Sequence, residues 1–185
     1  MSAIARTALI ILFDGVEEIE AVTTIDLLRR AHVLVTVAHL GPQTRITGRN
    51  EIIIDGGAPL PMVSGGDYDV VILPGGPGVK NLRATPDVLR LVEDQSAAGK
   101  LVAAICAAPT VLKDAGLLQG RRFTAHHSVE NELPELEGNE AVIRDSNIIT
   151  SRGAGTAIPF ALEIIRALMG EQEANKVAEA ICYQP

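Results

Sequence analysis

The chain has 185 residues, 47% of them hydrophobic and only 3% aromatic, which suits one domain (1–185) with an aliphatic core. A formal charge of -7, a pI near 5.1 and no basic run count against nucleic-acid backbones and anionic membrane surfaces as partners. Two cysteines, Cys106 and Cys182, are too few for a disulfide framework and match no zinc spacing; with no signal segment, the chain reads as cytoplasmic with reduced thiols.

Thr7 to Phe13 is an apolar run of strand length, far short of the ~20 residues that cross a bilayer, and Asp14-Gly15 makes its turn. Glu17 to Ala31 carries Ile19, Val22, Ile25 and Leu28 at helical spacing. Val33 to Leu40, rich in β-branched residues, is a second strand, and Thr44 to Met62 an irregular antiparallel excursion with a strand around Glu51–Asp55. Asp69 to Leu73 is a buried strand broken by Pro74-Gly75-Gly76-Pro77-Gly78. Pro86 to Ala98 is a helix stopped by Gly99, and Leu101 to Ile105 runs as a strand into Cys106, with Pro109 opening another helix. A short strand signal precedes Phe123–Ser128; strands follow at Ala141–Arg144 and Asn147–Ser151, then a helix at Ile158–Met169 and a terminal amphipathic helix at Asn175–Tyr183 holding Cys182 in a packing role. Alternating strands and helices predict an α/β fold: a mainly parallel sheet with helices on both faces.

In such sheets functional groups collect beyond the carboxyl ends of the strands. Cys106 stands at one of these ends, on a strand-to-helix turn that resembles a nucleophile elbow. A free cysteine is most often a small buried hydrophobe, but amides at a helix start stabilise a thiolate, so this context favours a reactive thiol of lowered pKa. Glu17 and Glu18 read as solvated groups favouring the helix dipole. Glu20 differs, because it lies between Ile19 and Ala21 near the start of the apolar face, where a partly buried carboxyl could hold or take a proton. Gly75-Gly76 is either a plain turn or a place where backbone N–H groups approach a substrate oxygen. His126 and His127 are either surface residues or bases for Cys106. Ser151 to Thr156 is glycine-rich but lacks the lysine and spacing of a phosphate loop.

Glu17-Glu18-Ile19-Glu20, Asp69 to Gly76, Ala103 to Thr110, Thr124-Ala125-His126 and Thr150 to Thr156, in this order, resemble the ThiJ/PfpI superfamily. Within it they are most similar to the branch of the parkinsonism-associated deglycase (the DJ-one family) and its bacterial relatives. The resemblance implies a flavodoxin-like three-layer sandwich, a homodimer and no cofactor or metal. It makes Cys106 the nucleophile, Glu20 its carboxylic partner, Gly76 (with Gly75 beside it) and Ala107 the oxyanion donors, and His126 a neighbour. Arg49 resembles an arginine that reaches the neighbouring subunit's pocket, and Arg30 a further dimer position. The protease-like branch has histidine where this chain has Ala107, and Ala108 and Ala154 replace the more usual glycine and proline.

The leading expectation is a cofactor-independent cysteine enzyme of the glyoxalase III or deglycase type, acting on small 2-oxoaldehydes such as methylglyoxal, or on glycated adducts. The alternative is a redox-sensing, chaperone-like stress protein that oxidises Cys106. A peptidase or amidase is a third reading, disfavoured by Ala107.

Overall fold

The computed structural model describes residues 5–138 and 140–184. In chain order the elements are β1 (Thr7–Leu12), α1 (Glu18–Arg30), β2 (Leu34–His39), β3 (Arg45–Thr47), β4 (Ile53–Asp55), β5 (Ala58–Pro59), α2 (Leu60–Val63) and β6 (Val70–Leu73). They continue with α3 (Val79–Arg83), α4 (Pro86–Ala97), β7 (Leu101–Ile105), α5 (Pro109–Asp114), β8 (Val142–Asp145), β9 (Ile148–Ser151), α6 (Ala157–Met169) and α7 (Glu171–Ala180).

Seven strands form one sheet in the order β5-β2-β1-β6-β7-β9-β8, and β3-β4 form a separate antiparallel ribbon. Every pair in the large sheet is parallel except β8–β9, which closes one edge. The interior strands are apolar on both faces, as β6 (VVIL) shows with all four residues buried, because helices cover both sides. From β1 the chain winds one way through α1 to β2, and from β6 the other way through α4 to β7. Right-handed crossovers in opposite directions put α1 and α4 on opposite faces. α6 packs on α1 and α7; α3, α4 and α5 cluster together, α4 and α5 against β7. The core is aliphatic, with Phe13 and Phe160 its largest fully buried side chains. Among the described residues no helix is long and apolar enough to cross a membrane.

Three expectations need correction. The buried face of α1 is Glu18, Glu20, Ala21, Thr24, Leu27 and Leu28, while Ile19 (54%) and Val22 (48%) stand in solvent. Periodicity showed the apolar stripe of α1 but not where the tertiary packing would point it. No strand precedes Phe123–Ser128, which is loop ending in a single helical turn, His127–Val129. The last helix is Glu171–Ala180, and Cys182 lies beyond it, exposed and in a left-handed conformation (φ 57). It therefore has no packing role.

Candidate active site

The opposed winding leaves a crevice at the carboxyl ends of β1 and β6, where doubly wound sheets bind ligands. Glu20 enters it from the helix after β1, Gly75 and Gly76 from the turn after β6, and Cys106 from the end of β7. Cys106 is 8% exposed and has φ 67, a left-handed conformation that costs a residue with a Cβ roughly 1–2 kcal/mol. Two backbone hydrogen bonds hold it there. Its N–H donates to the Ser151 carbonyl (2.9 Å) and its carbonyl accepts from the His126 N–H (2.9 Å). Pro109 then opens α5, where a missing N–H is harmless.

Glu20 is fully buried. Its backbone N–H donates to Glu17 Oε2 (2.9 Å), the N-cap of α1, and its Oε2 accepts the Gly75 N–H (2.7 Å). Oε1 has no hydrogen-bond partner, and the carboxyl lies close enough to the Cys106 thiol for the two groups to shift one another's titration. A Cβ placed on Gly153 would lie 3.2 Å from His126 Cδ2, 3.9 Å from Glu20 Oε1 and 4.0 Å from Cys106 Sγ. Gly153 therefore keeps open the space that all three groups face. Sequence reasoning noticed its segment but gave that residue no place in the site; its position two residues past the end of β9 was the available signal.

Burial raises the Glu20 carboxyl to about 7; the Gly75 N–H and the thiol oppose this, and the charge of Glu17 adds to it. Burial and the adjacent Glu20 also push the Cys106 thiol up, against the backbone amides of Ala107 and Gly76, which pull it down. The expected lowering by a helix start is thus corrected: α5 has only six residues, and desolvation beside a carboxylate outweighs its amides. Two negative charges in contact in a buried site are the costly state. The pair therefore keeps one proton between its members at neutral pH, and the thiolate forms when Glu20 holds it.

The backbone amides of Gly76 and Ala107 lie near enough to the sulfur to favour its thiolate. Gly75 is different: its N–H is spent on Glu20, so it orients the carboxyl instead of serving as an oxyanion donor. A methyl group at position 75 would lie 2.5 Å from Cys106 Cβ and 2.8 Å from Glu20 Oε2. Gly75→Ala is accordingly expected to destabilise the fold by about 2 kcal/mol and to displace the Cys106–Glu20 pair. Urea unfolding and the rate of iodoacetamide alkylation of Cys106 would check this, and parent values in both would contradict it.

Glu17 and Glu18 are buried, contrary to their reading as solvated residues. Glu17 caps α1, and Glu18 accepts the Asn50 N–H (2.7 Å) and side-chain amide (3.1 Å), tying α1 to the β3–β4 ribbon. Arg49, next to Asn50, acts electrostatically on Glu20 and His126 of its own chain. Arg30 pairs with Asp26 (2.8 Å) on the outer face of α1, away from these groups. His126 Nδ1 engages Ser128 Oγ (2.9 Å), and its ring centroid is 4.0 Å from that of His127. Burial, then His127, Arg49 and Arg152, hold the His126 pKa below its ordinary value, so its imidazole is neutral at pH 7. His126, His127, Arg152 and the Gly153–Thr156 turn line a cavity of about 350 Å³. Among the described residues no cluster of three His, Cys, Asp or Glu could hold a metal.

A cysteine on a strand-to-helix elbow, a buried carboxyl beside its thiol and two backbone amides that favour the thiolate define a thiol-centred site on a flavodoxin-like sheet. The profile of the DJ-1/PfpI family matches residues 6–167. Protein DJ-1alpha of Drosophila melanogaster is 42% identical over 187 residues, covering 97% of this chain and 85% of the relative. The glutathione-independent glyoxalase DJR-1.2 of Caenorhabditis elegans is 34% identical over 186 residues, covering 97% of this chain and 98% of the relative. The crystal structure of Drosophila melanogaster DJ-1beta superposes with a TM-score of 0.95 at 36% identity, covering 98% of this chain and 100% of that one. The chain belongs to the DJ-1/PfpI family.

Proposed function

We propose that the protein is a glutathione-independent glyoxalase, converting methylglyoxal and related 2-oxoaldehydes to 2-hydroxy acids, and that early glycation adducts enter the same chemistry. The observation that carries this reading is the Cys106–Glu20 pair, with one shared proton and a carboxyl poised near pH 7. As Glu20 takes the thiol proton, Sγ adds to the aldehyde carbon. The resulting oxyanion meets the Gly76 and Ala107 amides and is protonated to a hemithioacetal. Glu20 then moves the proton from C1 to C2, which oxidises C1 and reduces C2 without an outside electron carrier. Water cleaves the thioester, giving lactate and the free thiol, so the sum is methylglyoxal plus water to lactate. The worm relative named a glutathione-independent glyoxalase supports the same reading.

The test is incubation of purified, metal-free protein with methylglyoxal in the absence of glutathione. Lactate formed in equal amount to aldehyde consumed supports the proposal, and aldehyde loss without lactate overturns it.

A specific observation also favours oxidative sensing at the same cysteine. Glu20 Oε1 has no hydrogen-bond partner and its carboxyl lies beside the Cys106 thiol, so a protonated carboxyl would hydrogen-bond a sulfinate formed there by peroxide. Mass spectrometry after mild peroxide would show two added oxygens on Cys106 and none on exposed Cys182; equal oxidation of both would contradict it.

The protein is further proposed to act as a homodimer. Ile19 and Val22 on α1, with Ile52 and Ile53 at the β3–β4 ribbon, are about half exposed, and α1 is tied to that ribbon through Glu18 and Asn50. Such a patch fits an isologous interface. Sedimentation at micromolar concentration would read two chains, and Val22→Glu would shift it to one.

A further inference from the structure

Arg83 is the last residue of α3 and takes no direct part in the Cys106 pocket. Its guanidinium forks onto Asp114 (Nε to Oδ2 2.6 Å, Nη2 to Oδ1 3.1 Å) and reaches Glu132 Oε2 with Nη1 (2.7 Å). Lys113, beside Asp114, donates to the Glu132 carbonyl (2.6 Å), so the same loop residue is held twice. Leu133, next along, is buried against the core.

The chain positions give this cluster its meaning. α3 follows the Gly75–Gly76 turn, and Arg83 is its C-terminal residue. α5 follows the Cys106 elbow, and Asp114 is its C-terminal residue. The segment after His126 and His127 makes one helical turn, His127–Val129, and then presents Glu132. Three of the segments that form the thiol pocket therefore meet at one guanidinium. α3 and α5 have five and six residues, too short to be rigid without outside support. A planar fork that binds two carboxylates at once fixes their relative position in a way a single ammonium cannot.

We propose that Arg83 is a positioning residue for the thiol site, locking the Gly76 turn, the Cys106 elbow and the His126–His127 loop in register through Asp114 and Glu132. The consequence for aldehyde turnover rests on the glyoxalase reading above; the consequence for the thiol itself does not. When the clamp is removed, the loop bonded to the Cys106 carbonyl through the His126 N–H loosens, which exposes the sulfur and separates it from the groups that guide substrate.

The experiment uses Arg83→Gln, Arg83→Lys, Glu132→Gln and the Arg83→Gln/Glu132→Gln double variant, assayed at 25 °C after circular dichroism confirms folding. Arg83→Gln is expected to raise the rate of Cys106 alkylation by iodoacetamide about threefold or more and to lower kcat/KM for methylglyoxal about tenfold. Arg83→Lys should recover little of either, because one ammonium cannot bridge both acids. The double variant should match Arg83→Gln, since the effect travels through Glu132. A merely stabilising ion pair would lower the melting temperature and leave both rates unchanged; that result, or additive effects in the double variant, overturns the proposal. Should no variant, nor the parent, turn over methylglyoxal, the glyoxalase reading falls, and the alkylation rates still decide the role of Arg83. If Arg83→Gln does not fold, Glu132→Gln alone must show the same opposed changes, and unchanged rates in it overturn the clamp.

Discussion

Cys106→Ser is expected to lose methylglyoxal conversion by roughly 10³-fold or more while keeping the native fold, because the nucleophile is removed and its site is otherwise unchanged. Serine fits the space of the thiol and its amide keeps the hydrogen bond to the Ser151 carbonyl, so circular dichroism should match the parent. A carboxyl titrating at about 7 can share a proton with a thiol but cannot ionise an alcohol several units weaker still. The hydroxyl therefore remains protonated and does not add to the aldehyde. Lactate production measured against the parent decides the matter: a serine variant working at the parent rate would remove the covalent mechanism altogether.

Glu20→Gln should lower kcat by roughly 10²–10⁴-fold, the usual cost of losing a positioned acid–base group, with KM changed far less. Glutamine can still accept the Gly75 N–H, so the loss would be one of proton transfer and not of shape. In the parent, kcat/KM should rise with pH through a midpoint near 7 as Glu20 ionises, and that limb should be absent from the variant. The same group makes a stability prediction. Its folded pKa, about 7, lies above the ordinary 4.5, so between these values the native state binds more protons than the unfolded chain. Stability is then lost as pH rises from about 4.5 to about 7, by roughly 3 kcal/mol for this group as an upper bound. Urea unfolding of the parent and the glutamine variant at pH 5 and pH 8 isolates it: the variant should gain on the parent at the higher pH. An equal difference at both values would show that Glu20 is not held in its neutral form by the fold.

Much of the site was legible because its chemistry is local. Strand runs, a glycine pair after β6 and a proline three residues beyond Cys106 are all short-range signals, and they marked the strand-to-helix turn on which Cys106 stands and the turn after β6. The strands were legible for a related reason: burial on both faces makes them continuous apolar runs. What escaped depends on distant parts of the chain. The burial of Glu17 and Glu18 comes from packing against the Gly75 turn and Asn50. The direction of the thiol shift is set by how deeply Cys106 and Glu20 are desolvated together, which no local pattern encodes. Gly75 could be seen as a turn residue, but not that its N–H is committed to a side chain 55 positions earlier. α3 is a five-residue helix, below the length at which periodicity carries information, and the partners of Arg83 lie 31 and 49 residues away.

The backbone twist at Cys106 has a consequence for how the protein ages. A residue with a side chain in the left-handed region stays there only while its neighbours insist, here through one bond donated to the Ser151 carbonyl and one accepted from the His126 N–H. Those neighbours belong to different segments, one a strand of the sheet and the other a loop. Damage that loosens either would let the peptide at 106 relax toward an ordinary conformation and swing the sulfur out of line with its amides. The protein would then lose its chemistry while still folded, so inactive molecules could accumulate without any sign of unfolding.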